Sequence, residues 1–81
     1  MDPGLAFGII LREVRLDAKL TQEQVALLAG LDRTFISLIE RGRRQPTVRV
    51  IFQLATALGT TAGALIIATE QMAEAAKVTE D

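Results

Sequence analysis

An all-α fold of five short helices is predicted by three features of this 81-residue chain. Side chains suited to a helix N-cap recur along it at Asp2, Thr21, Asp32, Thr47 and Thr60 or Thr61, and glycines at 30, 42 and 59 fall where the intervening helices are due to end. Between these punctuation marks apolar residues repeat at three- and four-residue spacing. No segment shows the two-residue alternation of a strand, and no internal repeat is present. The length suits one small domain, which buries only about 60% of its unfolded surface, so a hydrophobic fraction of 49% is more than the core of one chain absorbs.

Each element follows from its own residues. Asp2 caps a first helix over 3–18, Pro3 occupies the first turn where its missing N–H costs nothing, and Phe7, Leu11 and Val14 form the inner stripe. Thr21 and Gln24 make a capping box for a second helix over 22–29. Leu20 and Val25 staple its entry, and Gly30 ends it. Asp32 caps a third helix over 33–41 that turns Phe35, Ile36 and Ile39 inward and stops at Gly42. Thr47 caps a fourth over 48–58 with Ile51, Leu54, Ala55 and Leu58 inside. The fifth begins after Thr60 or Thr61, contains Leu65 and Ile66, and continues as an alanine-rich stretch to about residue 77. The second and third helices are separated only by Gly30, Leu31 and Asp32, the spacing of a helix-turn-helix.

This arrangement assigns Phe7, Leu11, Val14, Leu20, Val25, Leu31, Phe35, Ile36, Ile39, Val48, Ile51, Leu54, Leu58 and Leu65 to one core. It leaves Ile9, Ile10, Leu16, Leu27, Leu28, Phe52 and Ile67 unsheltered, which points to an interface with a second copy or another protein.

Composition narrows the function. The chain has no Cys and no His, which removes disulfides, thiol nucleophiles, imidazole catalysis and nearly every common zinc site, and its scattered carboxylates lack the density of a calcium loop. No enzyme, metal or cofactor is expected. Apolar runs reach about five residues against the roughly 20 of a membrane span, and the acidic Met-Asp-Pro-Gly start lacks the basic region of a secretory signal, so a cytoplasmic protein is expected. The net charge of −1 conceals an uneven distribution. Residues 31–50 carry five arginines, at 33, 41, 43, 44 and 49, against two carboxylates, whereas 67–81 carry one basic and four acidic groups. A basic cluster confined to the third helix and the loop after it suits a phosphate-contacting face.

From Phe7 to Ile66 the sequence resembles bacterial and phage helix-turn-helix regulators of the Xre/Cro/cI class, through LREVR, LTQEQVALLAGLDRTFISLIERGRRQPT and LATALG. DRTFIS followed by ERGRRQPT is similar in particular to restriction–modification controller proteins and to phage or plasmid repressors. The resemblance implies a five-helix lambda-repressor-like domain over 1–66, with 67–81 as a C-terminal helical or acidic tail. It implies a dimer on double-stranded operator DNA, with the third helix in the major groove. Arg33, Thr34, Ser37 and Leu38 are then the base-reading set, and they are also what remains outward once Phe35, Ile36 and Ile39 are buried. Gln22, Arg43 and Arg44 are implied phosphate ligands, Arg15 and Glu40 a structural ion pair, and Thr61, Ala62, Ile66 and Ile67 the dimer surface. A bacterial or phage-encoded, nucleoid-associated regulator follows.

Three departures from the family pattern stand out. Lys19 occupies a position where glycine usually ends the first helix, which calls for a left-handed residue or a rearranged turn. Leu38 is apolar where a polar side chain usually faces the groove. Leu27 and Leu28 lie on a face that is usually charged, and they favour an alternative reading as a protein-interaction module, such as an antitoxin or accessory factor, with a second protein partner bound there.

Overall fold

The five helices, in a computed structural model describing the backbone of residues 1–80 and the side chains of 1–75, are α1 (Pro3–Asp17), α2 (Gln22–Ala29), α3 (Arg33–Glu40), α4 (Val48–Leu58) and α5 (Ala62–Glu80). Every predicted cap is made. The Asp2 carboxylate accepts from the Leu5 N–H, Thr21 and Gln24 form the reciprocal capping box, and Asp32, Thr47 and Thr61 accept from the N–H groups of Thr34, Val50 and Ala64. Each such cap is worth about 1 kcal/mol to a helix too short to persist alone. α1 and α3 each end one residue earlier than the sequence suggested, with Ala18 and Arg41 as C-caps. Lys19 takes the left-handed conformation at φ 60°, so the turn keeps the geometry that glycine would give it.

α1 packs on α5 and on the end of α3, α2 packs on α3 and α4, and α4 closes the ring against α5. Leu11, Val25, Ile36, Ile39, Leu54 and Leu65 are fully buried. Two expectations about this core are corrected. Ile10, expected to be unsheltered, is buried, because packing by both α5 and α3 widens the inner face of α1 beyond the 7/11/14 stripe. Val48, expected in the core, is 71% exposed. At about 100° per residue it lies about 70° from the centre of the 51/54/55/58 face and only about 40° from Phe52, itself exposed.

Gly8 permits a close approach that sequence periodicity does not reveal. A Cβ there would press into the carbonyl oxygens of Ile39 and Glu40, so α1 meets the last turn of α3 nearly backbone to backbone. α5 runs unbroken through residue 67, with Thr69 buried and Met72 packed on the core, so the 66/67 division falls inside a helix. The tail charges at Lys77, Glu80 and Asp81 lie outside the described side chains. No single described helix is long and apolar enough to cross a membrane.

Candidate nucleic-acid interface

Leu31, Ile36 and Ile39 anchor α3 against the core, and that burial fixes which side chains turn outward. Arg33 and Thr34, in the first turn, are exposed; Ser37 and Leu38, one turn later, are half-buried at the edge of the same face. The fold thus brings the four predicted base-reading residues together, with Arg33 and Thr34 the freer pair. Arg33 makes no hydrogen bond or ion pair with the described residues, so a donor edge of its guanidinium is free to grip an acceptor pair.

The pose of α3 is set from beneath by one carboxylate. Glu40, whose side chain is 3% exposed, takes Arg15 Nε on Oε2 at 2.6 Å and Arg15 Nη2 on Oε1 at 2.9 Å. Arg15 Nη1 donates in turn to the Leu20 carbonyl at 3.0 Å, fastening the turn ahead of α2. The hydrogen bond to Glu40 raises the Arg15 pKa, with attraction between the charges adding to it and burial opposing it. No buried side-chain nitrogen or oxygen among the described residues lacks a partner.

Gln22, at the first position of α2, belongs to the same cluster. Its Nε2 donates to Glu40 Oε1 at 3.0 Å, a bond with no signature in the sequence. A carboxylate only accepts, so the amide nitrogen must face it, and one of the two N–H donors of Gln22 remains for another acceptor. Gln22, Arg15 and Arg33 line one shallow depression between the ends of α1, α2 and α3.

Beyond α3 the chain doubles back. Gly42, at φ 72°, lets the N–H groups of Arg43 and Arg44 reach the Leu38 carbonyl at 2.8 and 3.3 Å. Arg41 turns its Nε onto the Ser37 carbonyl at 3.4 Å, which satisfies the helix end. The Arg44 guanidinium lies over the Phe35 ring, 5.7 Å from its centroid. Arg43 and Arg44 are exposed, and so a cationic loop flanks the outward face of α3. Among the described residues no group of carboxylates is placed to hold a metal ion.

A helix-turn-helix family model matches residues 11–65, the span from the middle of α1 into α5 that contains all of this geometry. The chain belongs to the helix-turn-helix family of Xre-type transcriptional regulators. It is 37% identical over 71 residues to the uncharacterized HTH-type transcriptional regulator y4dJ of Sinorhizobium fredii, covering 88% of this chain and 92% of the relative. Among solved structures, the restriction–modification controller protein C.AhdI from Aeromonas hydrophila superposes with a TM-score of 0.74 at 43% identity, over 75% of this chain and 92% of that one. The clp gene regulator ClgR from Corynebacterium glutamicum matches all of this chain and 86% of its own with a TM-score of 0.93. At 23% identity that likeness shows the fold alone. The regulator is therefore a DNA-binding protein of a non-enzymatic family.

Two features around α3 of the regulator were not predicted. The Gln22–Glu40 bond left no trace because it joins side chains on different helices 18 residues apart. Phe35 was assigned to the core alone, whereas it is half-buried and carries Arg44 on its ring. Aromatic and arginine nine residues apart, on either side of a glycine turn, were the only available hint.

Proposed function

We infer that the regulator binds an operator as a two-fold dimer, each α3 entering the major groove of one half-site. Arg33 grips guanine O6 and N7 with its planar fork, Thr34 contacts a neighbouring base edge, and Ser37 and Leu38 line the same groove wall, Leu38 against a thymine methyl. Arg43 and Arg44 neutralise phosphates just beyond α3, and the remaining amide N–H of Gln22 donates to a phosphate at the start of α2. The observation that carries the reading is the exposed, unpaired Arg33 on a helix whose opposite face is locked to α1 and α2 through Glu40. DNA-binding residues fall within 1–66, and α5 continues beyond them.

A single α3 spans only a few base pairs, so a dimer with half-sites about 34 Å apart supplies the needed length. Ile66 and Ile67 are exposed on α5 beside the small Ala62, with Thr61 as its cap. Phe52 and Val48 are further exposed apolar side chains, on α4. Burial of these side chains against a second copy accounts for much of the hydrophobic excess. Operator occupancy then rises with protein concentration through dimerisation. Such a protein works in the cytoplasm, on the DNA of a bacterial or phage genome.

Selection of bound duplexes from a random pool at fixed salt tests this reading. One two-fold-symmetric sequence is expected to be enriched, and Arg33→Ala is expected to lose its preference at one base pair per half-site. Absence of enrichment, with binding unchanged in Arg33→Ala, overturns it. The alternative, a protein-interaction module, draws on Leu27 and Leu28, which are 84% and 61% exposed on α2 and have no role in the DNA reading.

A further inference from the structure

We propose that Phe35 is a positioning residue for DNA binding: its ring holds the Arg44 guanidinium beside the outward face of α3 before DNA arrives. The proposal rests on the reading of Arg44 as a phosphate ligand and adds how that ligand is placed.

Helical phase puts Phe35 at a border. At about 100° per residue it lies about 70° from the centre of the Ile36/Ile39 face and about 60° from Leu38 on the outward side. One part of the ring therefore packs on the core while another remains accessible, in keeping with its half-buried state. Arg44 reaches that accessible part, with its guanidinium carbon 5.7 Å from the ring centroid.

Arg44 is fastened to α3 at two points. Its backbone N–H donates to the carbonyl of Leu38, the residue one turn after Phe35, and its side chain returns to the ring. The electron-rich ring face attracts the cation but offers no oxygen acceptor, so the guanidinium makes no hydrogen bond or ion pair with the described residues and keeps its N–H donors for phosphate. Arg43 shares the same backbone anchor on Leu38 but has no ring beneath its side chain. The two neighbouring arginines thus differ in preorganisation: Arg43 loses its rotamer freedom when DNA binds, and Arg44 has surrendered part of it already.

A double-mutant cycle on operator affinity at fixed salt tests the proposal. Phe35→Leu keeps an apolar side chain on the core and removes the ring face, and it is expected to weaken binding about two- to fivefold, the range of a partly exposed cation–π contact. The slope of log affinity against log salt should stay unchanged, because the same phosphates are still neutralised. In an Arg44→Ala background Phe35→Leu should have no effect, and Phe35→Tyr should bind as the native protein does. Equal weakening in both backgrounds means that Phe35 acts only by packing α3, and it overturns the proposal. So does unchanged affinity in Phe35→Leu when Arg44→Ala is impaired. If Arg44→Ala itself binds normally, the reading of Arg44 as a ligand fails, and the proposal with it. Should Phe35→Leu not fold, trifluorophenylalanine at position 35 keeps the ring shape while draining its face. Weakened binding then supports the proposal and unchanged binding overturns it.

Discussion

Arg15 and Glu40 are joined by two parallel hydrogen bonds, 2.6 and 2.9 Å long, that clamp the last turn of α3 onto α1. The pair does not face DNA in the proposed mode, yet it fixes the angle at which α3 presents Arg33 and Thr34. With side chains only 10% and 3% exposed, its worth depends on both partners being present.

Removing either partner alone should therefore cost about 3–5 kcal/mol, since a buried charge is left without its counterpart. Set against a domain stability of about 5–15 kcal/mol, Arg15→Ala and Glu40→Ala should lower the urea midpoint steeply. The double change Arg15→Met with Glu40→Leu should cost much less. The sign of the pH dependence follows from the raised Arg15 pKa. A folded-state value above the unfolded one adds stability at every pH below the unfolded value, and that stability is lost only as pH climbs through the folded value. Arginine thus contributes evenly across the neutral range and fails only in strong alkali, which urea melts over a pH series would check.

Gly8→Ala should reverse its ordinary sign. In an open helix the change stabilises by about 1 kcal/mol. Here the added methyl meets the rigid carbonyls of Ile39 and Glu40, so a loss of about 1–3 kcal/mol is expected from overpacking. The displaced end of α3 should also weaken operator binding, measurable on the folded fraction at low temperature.

Arg33 and Arg43 should fail in different ways. Arg33→Ala is expected to cost about 1–3 kcal/mol of discrimination at one base pair, whereas Arg43→Ala should weaken all duplexes alike. Only Arg43→Ala lowers the salt slope, by about 1 per protomer. Fluorescence anisotropy on matched and mismatched duplexes across a salt series separates the two.

Phe52→Glu should shift a dimer toward monomer in sedimentation, because it sets a charge on the exposed apolar face of α4 without touching the monomer core. Phe52 is already 61% exposed, so thermal stability at high dilution should hold within about 0.5 kcal/mol. Operator binding should then require higher protein concentration.

Local chemistry made most of the fold legible. Caps and left-handed terminators act within one turn of chain, and so Thr21, Gln24, Asp32, Gly30 and Gly59 declare their roles in the sequence. The outward placement of Arg33 and Thr34 was legible too, because it is the complement of the strongly apolar Ile36/Ile39 face. The misplacement of Val48 and Ile10 has a common cause. Periodicity gives the phase of a helix but not how wide a face its neighbours cover: α5 and α3 together cover Ile10 on α1, whereas Val48 at the first turn of α4 stays exposed.

By itself, then, the sequence determined the five helices, their N-terminal caps, and the basic, outward-facing side of α3, since each follows from contacts between residues close in the chain. Tertiary structure alone decided that Gln22 shares Glu40 with Arg15, that Arg44 rests on Phe35, and that Gly8 admits the end of α3. Those relationships join side chains whose distance is set by the packing of whole helices, and packing is a collective result of all the buried residues that no single stretch of sequence encodes.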